Sequence, residues 1–213
     1  MPIAVASVQS PAGVALAGKY GAPVLTITRP RAPGAPESDL GALWAMAEES
    51  AAEHSKEMNR DDWRLVIPVH VAETRKDAIE QARIGAGRYQ GEYFENTMGR
   101  PPVIDGPHEK IIDAMIDNGS WIIGDPDDCV AGIRRLEERS GGFGGFMVQT
   151  IDWAQREQVM HSFELIARYV MPQFQGTTLS TAASQQWAVE HQEVLGAGRV
   201  RAIDRAKSDY ASR

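Results

Sequence analysis

The sequence contains a single cysteine, Cys129, in 213 residues, and it has no apolar run near the roughly 18 residues of a membrane span. One cysteine excludes a disulfide within the chain, which is typical of proteins of a reducing cytoplasm. The first ten residues, MPIAVASVQS, lack the basic region and the long apolar core of a signal peptide. With 22 basic and 29 acidic residues and no basic run, nucleic acid is not an expected partner. The sequence therefore predicts a cytoplasmic protein that binds neither nucleic acid nor membrane.

Motifs for metal binding and nucleophilic catalysis are also missing. There is no HExxH or GxSxG pattern, and Cys129 falls on a helix face as a small core residue. The glycine-rich stretch SGGFGG, residues 140–145, precedes a strand, whereas a dinucleotide-binding fingerprint follows a strand and opens a helix. We therefore interpret it as a flexible turn, and we predict no metal site. The histidines without ligand spacing are His54, His70, His108, His161 and His191.

What the sequence does have is a regular alternation of strand-like and helix-like segments. Each β-prone or apolar run is followed by an amphipathic run with helix start signals. Five such strand–helix units predict an α/β fold with a parallel sheet. The pattern alone leaves open a doubly wound sheet or part of a closed barrel. The predicted strands are residues 3–8, 24–28, 63–71, 120–123 and 143–149. Among the predicted helices, one begins at a capping box with Thr74 as N-cap and runs towards residue 94, and one begins at Asp125 and Pro126. Two more cover residues 154–171 and 181–194, and a loose tail follows the last.

The first strand-to-helix turn, SVQSPAGVALA, has the composition of an anion site. Ser10 is a favoured N-cap and Pro11 is favoured at the first helical position. The first N–H groups of a helix have no intrahelical partners, and together with the helix dipole they attract anions. Ala12 and Gly13 are small enough for a phosphate group to approach closely. An ordinary capped helix has the same pattern, so both interpretations stay open at this point.

His70 is the second candidate site residue. In its strand, the aliphatic residues 65, 67, 69 and 71 share one face, and Val66, Pro68 and His70 share the other. In a barrel, His70 would point inward at the C-terminal end of its strand, where barrel enzymes have their active sites. The alternative is a hydrogen-bonded, half-buried histidine with a structural role.

Four segments, in chain order, resemble the luciferase-like flavin-dependent monooxygenases, with limonene monooxygenase-like members the most similar in character. In the third segment, Asp125 stands where the family usually has a threonine, and it can cap the helix equally well. The segments are PIAVASVQSPAGVALAGKYGAPVL (residues 2–25), VHVAETRKDAIEQA (69–82), IIGDPDDCVAGIRRLEERSGG (122–142) and ELIARYVMPQF (164–174).

The resemblance implies a particular fold and activity. Residues 1–175 would be the C-terminal part of a (β/α)₈ barrel, containing its fourth to eighth strands, and residues 176–213 a partly loose helical extension. The implied activity is that of a flavin-dependent monooxygenase. FMN, or else FAD or a deazaflavin, would be reduced by a nicotinamide-dependent partner, and molecular oxygen would be incorporated into a small apolar organic substrate.

The resemblance also implies roles for individual residues. Ser10 matches the position whose hydroxyl contacts the flavin phosphate, and Gln9 is its neighbour at the strand end. Gly13 matches a second phosphate position, where only its backbone amide could serve. Thr28 matches a position near the isoalloxazine, and His70 matches one that lines the flavin pocket.

The chain departs from the family at its start, because the first three barrel strands have no counterpart in it. Five strands without closure would leave two sheet edges and an apolar interior exposed. We therefore expect a truncated or split form, or a homo- or hetero-oligomer. Two alternatives to the monooxygenase remain, a non-catalytic barrel subunit without flavin and a deazaflavin-dependent reductase.

Overall fold

The computed structural model describes residues 3–8, 11–27, 39–176 and 179–212, and it divides the chain into two units, Met1–Met171 and Pro172–Arg213. In the described part of the first unit, five strands alternate with helices, as the sequence predicts. The strands are β1 (Val5–Ser7), β2 (Val24–Ile27), β3 (Trp63–Val71), β4 (Ile122–Gly124) and β5 (Gly145–Gln149). The helices are α1 (Pro11–Tyr20), α2 (Leu40–Glu53), α3 (Arg75–Arg88), α4 (Ile111–Asp117), α5 (Pro126–Ser140) and α6 (Arg156–Leu165).

All strand pairs among the described residues are parallel, which confirms the predicted α/β class. The long strand β3 organises the sheet. Residues 63–66 of β3 pair with β2, residues 64–68 with β5, and residues 69–71 with β4. In a regular barrel β5 would pair with β4, whereas here it pairs with β3. The short β4 covers only the last three residues of β3, so the earlier residues of β3 remain available for β5.

Helices cover both faces of β4. Gly132 of α5 lies against Ile122, since a Cβ at this glycine would be 2.7 Å from the Ile122 side chain. The neighbouring residue Ile123 points the other way, into a buried cluster built mainly from α3 and α4. A strand buried on both faces reads as an apolar run, which is the pattern in β3 and β4. The fully buried members of the cluster are Ala72, Ala78, Ala82, Ala86, Ile111, Ile112, Met115, Trp121, Ile123 and Trp153.

The helix starts follow the expected capping chemistry. Asp125 and Asp128 form a reciprocal capping box at the start of α5, with Pro126 in the first turn, as predicted. Thr74 caps α3 by accepting a hydrogen bond from the Asp77 N–H at 3.1 Å. The Asp77 carboxylate accepts from the Thr74 hydroxyl at 2.7 Å, where a capping box would have it accept from the backbone.

Two predicted helices are interrupted. The helix predicted over residues 74–94 is α3 followed by a π-helical segment, Tyr89–Thr97. The helix predicted over residues 154–171 is α6 followed by a second π-helical segment, Ile166–Val170. Apolar periodicity does not distinguish α-helical from π-helical backbone over one or two turns, so the sequence could not reveal these changes.

The outer strands β1 and β5 each pair with one strand within the described residues. Their apolar side chains are partly open to solvent. Ile3, just before β1, is 71% exposed and Met147 of β5 is 44% exposed. Exposure of this kind was expected for a sheet that is not closed.

The second unit contains α7 (Pro172–Gln175), α8 (Leu179–Glu190) and α9 (Gln192–Ala211). The sequence predicts one helix over residues 181–194 and a loose tail, whereas the described residues form a 20-residue helix after His191. Residues with high helix propensity, such as Ala, Arg and Lys, support α9 without an apolar face, and apolar periodicity was the signal used for the prediction. Among the described helices of both units, none is long and apolar enough to cross a membrane.

Candidate functional site

The first turn of α1 lies against the C-terminal end of β1. A Cβ at Gly13 would be 3.1 Å from the Ser7 Cβ and 3.2 Å from the Ala6 carbonyl oxygen. A side chain at Gly13 would therefore fit only if the strand end or the helix start shifted by a few tenths of an ångström. Gln9 and Ser10 connect the two elements in the sequence and lie outside the described residues. The structure thus places Gly13 in the first turn of α1, in close contact with the strand end.

The first turn of α1 carries no acidic residue, and its residues are Pro11, Ala12 and Gly13. The N-terminus of a helix has a partial positive charge, which carboxylates in the first turn usually complement. In α1 this charge has no carboxylate beside it within the helix, and the residues around it are small. An anion with several oxygen acceptors is the ligand that such a helix start can bind.

The C-terminal end of β2 is held by a buried polar contact. Thr26 is in register with Ser7 on one side and with Leu65 on the other. Its hydroxyl accepts a hydrogen bond from the Trp63 indole N–H at 2.8 Å. Thr28, the predicted isoalloxazine contact, lies outside the described residues. Thr26 therefore fixes the strand from which Thr28 follows.

His70 lies near the C-terminal end of β3 and is only 4% exposed. Its Nε2–H donates to the Oε1 of Gln81 on α3, at 2.9 Å. Burial lowers the pKa of His70 below its ordinary value of 6.5, and the hydrogen bond to Gln81 opposes this shift only in part. His70 is therefore neutral at pH 7, with Nδ1 as the ring nitrogen that can accept a hydrogen bond.

The end of β3 is also held from α6. The Val71 N–H donates to the buried hydroxyl of Ser162 at 2.8 Å. The sequence analysis identified neither Gln81 nor Ser162, because no motif marks them. Each comes close to β3 through the tertiary packing of its helix, which the local sequence does not reveal.

Gly13 and His70 are well separated along the sheet. Ser7, beside Gly13, is level with Thr26 and hence with Leu65 of β3. His70 is therefore two strands across and five residues further along, which places it about 20 Å from Ser7 for ordinary sheet spacings. Only an elongated ligand can contact both positions.

Two surface grooves lie elsewhere. One, of about 510 Å³, lies between α5 and the segment before β4, and Arg75, Asp128 and Arg135 are among its lining residues. The other, of about 550 Å³, lies between the end of α3 and the chain after β5, with Tyr89 and Tyr93 in its wall. Neither groove contains Gly13 or His70, so neither belongs to the predicted site.

Metal or thiol chemistry finds no support in the described residues. Among them, no three His, Cys, Asp or Glu side chains are arranged to hold a metal ion. Burial raises the pKa of the Cys129 thiol to about 12, so this residue is a protonated core side chain at neutral pH.

Two curated proteins are similar to this chain in sequence. The chain is 42% identical over 191 residues to 4-hydroxyprotoasukamycin monooxygenase of Streptomyces nodosus subsp. asukaensis, covering 89% of this chain and 51% of that protein. It is 41% identical over 174 residues to limonene 1,2-monooxygenase of Rhodococcus erythropolis, covering 81% of this chain and 44% of that protein. The chain thus spans about half the length of these relatives. No protein-family model matches the sequence.

Solved structures share the fold. The oxygenating constituent of 3,6-diketocamphane monooxygenase from Pseudomonas putida, in complex with FMN, matches 80% of this chain and 48% of its own, with 24% identity and a TM-score of 0.61. The coenzyme F420-dependent tetrahydromethanopterin reductase from Methanopyrus kandleri matches 82% and 51%, with 19% identity and a TM-score of 0.51. These matches confirm the α/β fold class and are consistent with part of a barrel.

Proposed function

We propose that the chain carries the flavin-phosphate site of a luciferase-like flavin-dependent monooxygenase, the family that its sequence resembles. Two relatives of about 40% identity are monooxygenases, and a solved protein of the same fold binds FMN. The observation that carries the proposal is the start of α1, a helix N-terminus without acidic residues, directly after a parallel strand and close to its end.

The residues of this helix start fit a phosphate group. Ser10 would donate its hydroxyl to a phosphate oxygen, and the backbone N–H of Gly13 would donate to another. The small first-turn residues leave room for the phosphate, and no carboxylate of α1 opposes its charge. The fit at the other end of the cofactor depends on Thr28 and His70. Of these, His70 is described, and as a neutral imidazole it is suited to accept one hydrogen bond from a ring N–H.

When bound, reduced flavin supplies the electrons for oxygen activation, and the protein positions the flavin and excludes water from it. In this proposal α1 anchors the phosphate, and β2 and β3 place Thr28 and His70 toward the ring. FMN is the cofactor that we favour, with reduction by a nicotinamide-dependent partner. A small apolar organic molecule is the proposed substrate, and molecular oxygen is the co-substrate. The monooxygenase names of the two relatives support this choice.

The test is an FMN titration of the wild-type chain against Ser10→Ala. Losing a hydrogen bond to a charged group should weaken FMN binding roughly tenfold or more. Asp125→Ala is the control, because it also removes an N-cap side chain, from α5, and should leave FMN affinity unchanged. Equal FMN affinity in wild type and Ser10→Ala would remove Ser10 from the site.

A second candidate is a deazaflavin-dependent reductase, favoured by the fold match to an F420-dependent reductase. The same titration, repeated with coenzyme F420, distinguishes the two, because the reductase should bind F420 more tightly than FMN. A wild-type chain that binds neither cofactor would instead support the non-catalytic subunit.

A further inference from the structure

The hydrogen bond between His70 and Gln81 decides which nitrogen of the imidazole is available for a ligand. The Gln81 Oε1 is an acceptor, so His70 must carry its proton on Nε2 to make this 2.9 Å bond. In a neutral imidazole the other nitrogen, Nδ1, then has a lone pair and no proton. The tautomer of His70 is therefore set from α3.

We propose that Gln81 is a positioning residue for the ligand site, which holds His70 as an acceptor at Nδ1 for an N–H or O–H donor of the bound cofactor. This inference rests on the proposed function, because the cofactor contact of His70 comes from it. The chemistry recognised at His70 is a ring donor such as the imide N–H of a flavin or deazaflavin. Gln81 itself would not touch the cofactor.

The placement of Gln81 is well defined. It lies seven residues after Thr74, the capped start of α3, so its position on the helix is fixed from the N-terminal end. It is half-buried, and its side-chain oxygen contacts the buried ring of His70. The same helix buries Ala78 and Ala82 against the cluster beneath it, which holds α3 on the sheet.

The position of the strand and the orientation of the ring are controlled by different bonds. Ser162 holds the Val71 N–H of β3, whereas Gln81 holds the His70 ring. Burial and the bond to Gln81 are the two causes of the altered pKa of His70, and no charged group is among them. A substitution that removes the acceptor at residue 81 should therefore change the tautomer of His70, and a substitution at Ser162 should not.

Nitrogen-15 NMR of the full chain without cofactor reads the tautomer directly. In wild type we expect a protonated Nε2 and an unprotonated Nδ1 at pH 8. Gln81→Glu keeps an acceptor at this position and should keep the same tautomer. Gln81→Lys replaces the acceptor with a donor, so Nε2 should become the acceptor and the proton should move to Nδ1. Ser162→Ala is the control and should leave the tautomer unchanged. A proton on Nδ1 in wild type would overturn the assignment of Gln81.

FMN titration of the same variants at pH 8 separates positioning from simple charge effects. If Gln81 acts through His70, Gln81→Lys should lose FMN affinity about tenfold or more, and Gln81→Glu should bind like wild type. Charge alone predicts the opposite order for an anionic ligand, with the lysine variant tighter and the glutamate variant weaker. FMN affinities in that opposite order, or equal in all variants, would overturn the positioning role.

Cofactor titration and NMR of the tautomer test the proposed function and the role of Gln81 independently. A wild-type chain that binds neither FMN nor coenzyme F420 contradicts the proposed function. The same result also contradicts a cofactor contact at His70. The tautomer seen by NMR in the cofactor-free chain still confirms or overturns the control of His70 by Gln81.

Discussion

The helices α1 and α5 begin with similar sequences, but their N-termini differ in charge. Each follows a parallel strand of the sheet and each has proline as its first residue. The first turn of α5 contains Asp127 and Asp128, and Asp125 before it completes a capping box. The first turn of α1 contains no acid. The start of α5 thus neutralises its own partial charge with carboxylates, whereas the first turn of α1 contains no carboxylate.

The comparison shows that a helix N-terminus alone is weak evidence for an anion site. The side chains of its own first turn must also be considered, because they can bind the same backbone N–H groups. In α5 the backbone N–H groups are occupied by aspartate oxygens at 2.9 Å and 3.1 Å, and Asp128 also pairs with Arg75. That arrangement caps the helix, and its carboxylates repel an anion at this helix start. In α1, the predicted N-cap Ser10 is uncharged, and the alanine, glycine and proline side chains of the first turn accept no hydrogen bonds.

The largest expected effect comes from giving α1 the charge of α5. Ala12 is exposed in the first turn, so Ala12→Asp places a carboxylate beside the proposed phosphate. Like charges about 4 Å apart near a protein surface repel by roughly 4 kcal/mol, and FMN affinity should fall about a hundredfold or more. The aspartate also complements the helix dipole, so the free energy of unfolding should stay the same or rise by up to about 1 kcal/mol. FMN titration and urea unfolding measure the two effects.

The matched control is Ala12→Asn, which has nearly the same shape without the charge. It should keep FMN affinity within a few-fold of wild type. An Ala12→Asp variant that binds FMN as tightly as Ala12→Asn would show that the first turn of α1 does not hold the phosphate.

A smaller effect is expected from removing the cap of α5. Asp125→Ala deletes the side chain that accepts from the Asp128 N–H, and the free energy of unfolding should fall by about 1–2 kcal/mol. FMN affinity should not change, since we assign α5 a structural role without contact to the flavin. Urea unfolding measures the first quantity and FMN titration the second. Asp127→Ala removes an acid with no capping bond and should cost less than about 1 kcal/mol. A large loss of FMN affinity in Asp125→Ala would mean that the two helix starts do not differ as proposed.

The features that local sequence determines were predicted well. The strands β1, β2 and β3, the proline at the start of α1 and the aspartate cap of α5 depend on neighbouring residues, and the sequence places each of them within a few residues. The pairing of β5 with β3 depends on how far β4 extends, which is a property of the whole sheet. The roles of Gln81 and Ser162 also depend on the tertiary structure, because their contacts with β3 arise only when the helices pack.

The candidate site also contains one part that the local sequence determines and one part that depends on tertiary packing. A helix start after a strand, with small residues and no acid, can be recognised from residues 10–13 alone. The neutral state of His70 could not be predicted, because it depends on burial under α3 and on a glutamine that is eleven positions away. Family resemblance suggested His70 as a pocket residue, and the structure adds the partner that sets its tautomer.

The central claim is that the start of α1 binds the phosphate of a flavin. FMN and riboflavin differ only in that phosphate, so titrating the wild-type chain with each of them tests the claim most directly. Several charge-assisted hydrogen bonds to the phosphate predict that FMN binds at least about a hundredfold more tightly than riboflavin. Equal affinity for FMN and riboflavin would contradict the account.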